Sequence, residues 1–147
     1  MATTAVEFHT GVEDCAVYAC RLLRKACRSG ARLLLTAPPA LLSVIDRGLW
    51  VQDERDFLPH LRWPAADAGL LARTPIWLAE QADAVPAAPP LLVNVGAEAP
   101  SQPAAFQRLI EIVGTDPDEI ERGRARWRAY RAADLPVIHH VGPTARG

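Results

Sequence analysis

The sequence predicts one α/β domain built on a mostly parallel sheet of about five strands covered by helices. Two observations support this prediction. Short apolar runs alternate along the chain with segments of helical periodicity, and no internal repeat or second block of composition divides the 147 residues. Half of the residues are hydrophobic and 22% are charged, which is typical of a globular domain. We therefore expect a single domain spanning residues 1–147, which is long enough to bury a core of its own.

The first strand–helix unit is predicted near the N-terminus. Residues 6–9 alternate between apolar and polar side chains, which indicates a short strand. Thr10, followed three residues later by Glu13, is typical of a capping box at the start of a helix. Apolar residues then recur at helical spacing up to Ser29-Gly30, where the glycine is expected to end the helix.

A second unit follows, and after it the chain changes character. Residues 32–36 contain a continuous apolar run, as expected of a strand that is buried on both faces. Pro38-Pro39 opens a second helix that extends to Trp50. From there to about Arg73 the chain is first polar and then rich in proline and alanine, so we expect an irregular connection.

Three more strands are predicted in the C-terminal half, at 76–79, 91–95 and 108–113. A helix is an open alternative for the last of these. Asp116-Pro117-Asp118-Glu119 is typical of a helix start, with aspartate as the N-cap and proline at the first helical position. This helix is predicted to run to about Ala133, and a flexible tail is expected from about residue 136.

The residues that α/β enzymes use for phosphate binding and nucleophilic catalysis are missing. The first strand-to-helix turn contains only Gly11, no phosphate-binding loop motif occurs, and the only lysine, Lys25, lies within a predicted helix. There is no G-x-S-x-G motif. His139-His140 is the strongest metal candidate, but adjacent side chains point apart and no carboxylate or cysteine lies near them at ligand spacing. We therefore expect no catalytic residues, no cofactor and no metal.

The sequence also lacks targeting features. Its N-terminal residues have neither the basic nor the apolar segment of a secretory signal, and no apolar run is long enough to cross a bilayer. Three cysteines in one predicted helix, without a C-x-x-C pair, are typical of reduced core residues. These observations predict a cytoplasmic protein that has no membrane partner.

The charges are unevenly distributed, although the formal net charge is only −1. Residues 33–119 carry 5 basic and 12 acidic side chains, whereas residues 122–131 carry five arginines and no acid. Four residues of the basic segment are spaced so that they form one stripe on a helix: Arg124, Trp127, Arg128 and Arg131. An anionic partner is therefore expected at this end of the chain.

This stripe has three interpretations. In the first, Trp127 packs into the core beneath a solvated rim of arginines, since aromatic residues at helical spacing are usually core residues. In the second, the stripe forms a groove for an acidic segment with an apolar end, because guanidinium groups pair with carboxylates and an indole ring can line a pocket. The third is phosphate contact with nucleic acid, for which five arginines in an otherwise acidic chain are a weak footprint.

Four segments occur in an order and spacing that match a known family. Arg124–Arg131 reads RARWRAYR, and the family has a basic–aromatic–basic segment followed by Ala-Tyr-Arg in its C-terminal helix. The other segments are Arg28-Ser29-Gly30 before an apolar strand, Asp46–Trp50, and Phe57-Leu58-Pro59-His60. Each segment alone is weakly specific. Together, and with the chain length, they resemble the chi subunit family of bacterial DNA polymerase III.

The resemblance implies a Rossmann-like fold without nucleotide binding and a non-catalytic role in DNA replication. Members of the family link the psi subunit of the clamp loader to single-stranded DNA-binding protein. That protein presents an acidic C-terminal tail ending in Pro-Phe with a free carboxylate. DNA contact would be only indirect, and a helicase is a further candidate partner. The residues alone leave open a degenerate nucleotide- or nucleic-acid-binding α/β module.

The resemblance also assigns residues to two partner surfaces. It implies that the pocket for the tail involves Val113, Arg124, Trp127 and Arg128. It implies that the psi surface involves Trp50, Phe57, Pro59 and His60. The family commonly has tyrosine at the position of Trp127. An indole keeps the apolar contact area there but lacks the phenol hydroxyl and its hydrogen bond.

Overall fold

Seven strands and four α-helices make up the described part of the chain, residues 3–51, 58–64 and 67–141 of a computed structural model. The strands are β1 (Ala5–Val12), β2 (Leu33–Thr36), β3 (His60–Arg62), β4 (Ile76–Ala79), β5 (Leu91–Asn94), β6 (Arg108–Gly114) and β7 (Val137–Val141). The helices are α1 (Cys15–Arg28), α2 (Pro39–Val51), α3 (Ala68–Arg73) and α4 (Pro117–Ala132). None of these helices is long and apolar enough to cross a membrane.

All seven strands belong to one sheet, in the order β3-β4-β2-β5-β6-β1-β7. Each pair of neighbouring strands is parallel. The predicted α/β fold with a mostly parallel sheet is therefore confirmed, and its alternation of strands and covering helices is Rossmann-like. The sheet has seven strands rather than about five, and residues 108–113, for which a helix was an open alternative, lie in β6.

Both additional strands are edge strands in regions where the sequence predicted irregular chain. β7 lies within the expected flexible tail from about residue 136, so that prediction was wrong for Val137–Val141. β7 pairs with β1 from Val6↔Val137 to Thr10↔Val141, and this backbone pairing orders it without a clear apolar alternation. β3 and α3 lie in the predicted connection after Trp50, and a strand of three residues is too short to show a period.

Helix α1 begins later than the capping box predicted. β1 continues through Gly11, whose φ of 71° lies in the left-handed region that favours glycine. Asp14 is the N-cap, and its carboxylate accepts a hydrogen bond of 3.1 Å from the amide of Val17. Thr10 is not the cap, because it lies in β1 and its hydroxyl is 2.7 Å from Nε2 of His139 in β7.

The sheet separates two apolar cores. One core lies under α1 and α2 and includes Ile110 and Ile112 of β6. The other lies under α4 and includes Phe8 of β1 and Val113 of β6. Because successive side chains of a strand point to opposite faces, β1 and β6 each contribute side chains to both cores.

Candidate functional site

A groove of about 490 Å³ lies where β1, β6 and β7 meet helix α4, and we call it the α4 groove. The side chains that determine its character come from all four elements: Phe8, Val113, Arg124, Trp127, Arg128 and His139. All four residues that the sequence assigned to the tail pocket are therefore brought together in one groove. The stripe continues one turn earlier with Ile120, which also lines the groove, whereas the exposed Arg131 does not.

The fold places this groove at the carboxyl ends of adjacent parallel strands, the edge where open α/β sheets bind their ligands. Helix α4 follows β6 directly, with Asp116 as N-cap and Pro117 at the first helical position, as predicted. Near its middle α4 approaches β6 closely. A β-carbon added to Gly123 would lie 3.1 Å from Cγ2 of Val113. Glycine at this position therefore allows the helix to pack directly over the strand.

Trp127 packs against the core, as the first interpretation of the arginine stripe predicts, and it also lines the α4 groove. Its ring centroid lies 5.0 Å from that of Phe8 in the core and 5.6 Å from that of His139 in β7. The side chain is half-buried, packs against the core cluster under α4 and also lines the groove. Contacts on two sides restrict the ring to one orientation, which makes it a preorganised apolar surface for a ligand.

The two arginines of the groove are exposed and weakly paired. Nη1 of Arg124 lies 3.8 Å from Oε2 of Glu121, and Nη2 of Arg128 lies 3.8 Å from Oε1 of the same carboxylate. More than two thirds of each side chain is accessible, so solvent screens these ion pairs and they contribute little to stability. Both guanidinium groups are therefore accessible to an anionic ligand at the edge of an apolar groove.

Arg126 does not belong to this surface, although the sequence grouped it with the other arginines. It is buried, and its Nε donates a hydrogen bond of 2.9 Å to Oε1 of Glu111, which is fully buried in β6. Oε2 of Glu111 accepts hydrogen bonds from the hydroxyl of Tyr130 (2.5 Å) and from Nδ2 of Asn94 (2.9 Å). These hydrogen bonds join α4 to β6 on the same face of the sheet as the α4 groove.

Burial and charge act in opposite directions on the pKa of Glu111, and burial has the larger effect. Burial raises the pKa of the Glu111 carboxyl, while the Arg126 guanidinium and the donors from Tyr130 and Asn94 lower it. Burial together with the negative charge of Glu111 raises the pKa of the Tyr130 phenol, so the hydroxyl stays protonated and donates a hydrogen bond to Glu111. This hydrogen-bond network was not predicted from the sequence, where its only signal is a lone carboxylate inside the apolar run 109–113.

The second set of residues assigned from the sequence lies around the end of α2 and β3. Its described members are Trp50, Pro59 and His60, and we call it the Trp50 cluster. The Trp50 side chain is 58% exposed, and its ring centroid lies 5.0 Å from that of His60. His60 is held by Oδ1 of Asp46 at 2.9 Å from Nε2 and by the carbonyl oxygen of Leu58 at 2.7 Å from Nδ1. Pro59 is exposed beside them, and Phe57 lies outside the described residues.

The two clusters lie toward opposite edges of the sheet. β3 is one edge strand, whereas β6 and β1, which line the α4 groove, are four and five places away from it in the strand order. Neighbouring strands are about 4.8 Å apart, so β3 and β1 are separated by roughly 24 Å. The Trp50 cluster and the α4 groove therefore form two distinct surfaces.

Two comparisons with known proteins each cover most of the chain. The family model described as DNA polymerase III chi subunit, HolC, matches residues 3–137. The DNA polymerase III subunit chi of Pseudomonas aeruginosa is 32% identical over an alignment of 131 residues, and the match covers 85% of this chain and 84% of that protein. The family match spans strands β1 to β6, helix α4 and the residues of the Trp50 cluster. The chain therefore belongs to the DNA polymerase III chi subunit family.

Proposed function

We propose that this protein is a non-catalytic adaptor of the DNA polymerase III holoenzyme that links the psi subunit of the clamp loader to single-stranded DNA-binding protein. Its family makes it an accessory protein of DNA replication. The observation that carries the finer proposal is the α4 groove, where an apolar surface is bordered by two accessible arginines. Such a role places the protein in the cytoplasm, with only indirect contact to DNA.

The chemistry of the groove suits an acidic tail that ends in Pro-Phe with a free carboxylate. A terminal phenylalanine ring would pack against Trp127 and Val113, because aromatic anchors in apolar pockets supply most of the energy of small interfaces. The terminal carboxylate and the acidic residues before it would pair with Arg124 and Arg128. The indole of Trp127 has no phenol hydroxyl, so recognition of the tail would depend on apolar packing and charge.

The Trp50 cluster suits a partner that binds through apolar contacts. Trp50 is an exposed aromatic side chain next to an ordered histidine, and Pro59 extends the surface. Exposed aromatic anchors of this kind are typical of protein interfaces. We therefore assign psi to this edge of the sheet, with Phe57 as a further contact residue and a helicase as a candidate competitor.

Glu121 should weaken tail binding, because its carboxylate lies between the two arginines that the tail would use. We expect a synthetic peptide of the acidic tail to bind in the micromolar range and Glu121→Gln to tighten it by about two- to threefold, the range of exposed ion pairs. Fluorescence anisotropy at low and high salt measures both values, since added salt screens exposed charges beyond about 8 Å.

The matched control is Glu80→Gln, which removes an exposed carboxylate just after β4, away from the groove. It should leave peptide affinity unchanged. Equal tightening in both variants would show a general effect of net charge, and no tightening in Glu121→Gln would place the acidic tail away from Arg124 and Arg128.

Binding to psi and binding to the tail should be separable by mutation. We expect Trp50→Ala to abolish psi binding and leave the affinity for the tail peptide unchanged, because mutations at distant sites act independently. Titration of both partners into the wild type and the variant measures this. Psi binding should also tolerate salt better, since apolar burial does not depend on charge. If a variant with native circular dichroism lost both partners, the two would share one surface.

A further inference from the structure

β1 and β7 bring three potential metal ligands together on the face of the sheet opposite the α4 groove. His9 pairs with His140 in the strand register, and Glu7 lies two residues before His9 on the same face of β1. Oε1 of Glu7 is 3.6 Å from Nε2 of His9 and 3.5 Å from Nε2 of His140. The three potential ligand atoms all lie within 4.8 Å of one another.

These distances are close to those around a tetrahedral metal ion. Zinc binds imidazole nitrogen and carboxylate oxygen at about 2.0–2.2 Å, so two ligands of a tetrahedral site are about 3.3–3.6 Å apart. Both distances from Glu7 to the histidines fall within or at the end of this range. The two imidazoles have ring centroids 5.0 Å apart, and the half-exposed side chain of His140 has room to rotate toward a bound ion.

The other hydrogen-bonding atoms of Glu7 and His9 already have partners, as the ligands of metal sites usually do. Nδ1 of His9 is hydrogen-bonded to the hydroxyl of Tyr18 in α1, while its buried Nε2 has no hydrogen-bond partner among the described residues. Oε2 of Glu7 accepts a hydrogen bond of 2.7 Å from Nε of Arg108, which leaves Oε1 for the cluster. Partners of this kind orient ligand side chains in metalloproteins.

We propose that Glu7, His9 and His140 bind one divalent transition metal ion of the zinc type, with water at the open position. Two imidazoles and one carboxylate favour Zn²⁺, Co²⁺ or Ni²⁺ over Mg²⁺, which prefers oxygen ligands. His9 and Glu7 are largely buried, whereas half of the His140 side chain is accessible and gives the ion a route to the site. Bound metal would connect edge strand β7 to β1.

The test is metal binding by protein purified without a polyhistidine tag. We expect isothermal titration with Zn²⁺ to show one site, and Mg²⁺ to show none. His140→Ala should raise the Kd by more than about tenfold, and Tyr18→Phe, which removes the partner of His9, by roughly ten- to a hundredfold. His140 is accessible, so its replacement should leave the fold intact as judged by circular dichroism.

His139→Ala is the matched control, because its side chain points to the opposite face and should leave Zn²⁺ affinity unchanged. Imidazole NMR signals provide a second readout: of the 4 histidines, only His9 and His140 should shift with Zn²⁺. If His139→Ala weakened Zn²⁺ binding as much as His140→Ala, the ion would be bound by the adjacent His139 and His140 instead, and the proposal would be wrong. Unchanged affinity in His140→Ala, or shifts confined to His60, would overturn the proposal. None of these readouts depends on the assigned protein partners.

Discussion

Replacing Arg126 by methionine is expected to lower the free energy of unfolding by about 3–5 kcal/mol, because it breaks a buried ion pair by removing one partner. The side chain forms a buried ion pair of 2.9 Å with Glu111, whose carboxylate has no access to solvent. Without the guanidinium, the Tyr130 and Asn94 donors alone would have to stabilise a buried charge. Urea denaturation followed by circular dichroism measures the loss.

Two controls separate this effect from a general loss of arginine. Arg124→Met removes an exposed arginine two residues earlier in the same helix and should change the free energy of unfolding by no more than about 0.5 kcal/mol. Adding Glu111→Gln to Arg126→Met removes the unpaired buried charge and should recover about 1–3 kcal/mol. A loss below about 1 kcal/mol in Arg126→Met, or no recovery in the double variant, would contradict a charge-based role for the network.

The central part of the fold was predictable because its strands are buried on both faces. Leu33–Thr36, Ile76–Ala79 and Leu91–Asn94 are apolar runs with every residue buried, and such runs have few alternatives to a parallel sheet. The edges β3 and β7 were not predictable in this way. Four of the five residues of β7 are exposed, and two of these are histidines, so its order comes from pairing with a strand at the other end of the sequence.

Residue spacing alone predicted the candidate sites only where their residues share one element, whereas Val113 of β6 was assigned through the family resemblance. Arg124, Trp127 and Arg128 were recognised because helical spacing places them on one stripe. His139 and Phe8, which contact Trp127, lie on different strands, and their approach depends on the register of β1 with β7. The same register joins His140 to Glu7 and His9, so a search for ligands near in sequence could not find that cluster.

Replacing Trp127 by alanine should weaken binding of the acidic tail peptide by about 2 kcal/mol, or roughly 30-fold in Kd. The indole is the largest apolar side chain of the α4 groove, and its contacts with Phe8 and His139 fix its orientation before a ligand binds. Truncation removes the apolar contact surface for the terminal phenylalanine and leaves both arginines in place. Anisotropy titration of wild type and variant measures the difference.

Two comparisons make this prediction specific to the groove. Trp127→Tyr introduces the residue common in the family and should retain most of the affinity, because an aromatic ring still packs against Phe8. Arg131→Ala removes an exposed charge from the same stripe outside the groove, so its effect should be small and should disappear at high salt. Folding must be verified for Trp127→Ala, since the side chain also packs against the core. If the folded variant bound the peptide as tightly as the wild type, the tail would bind elsewhere and the assignment of the α4 groove would be wrong.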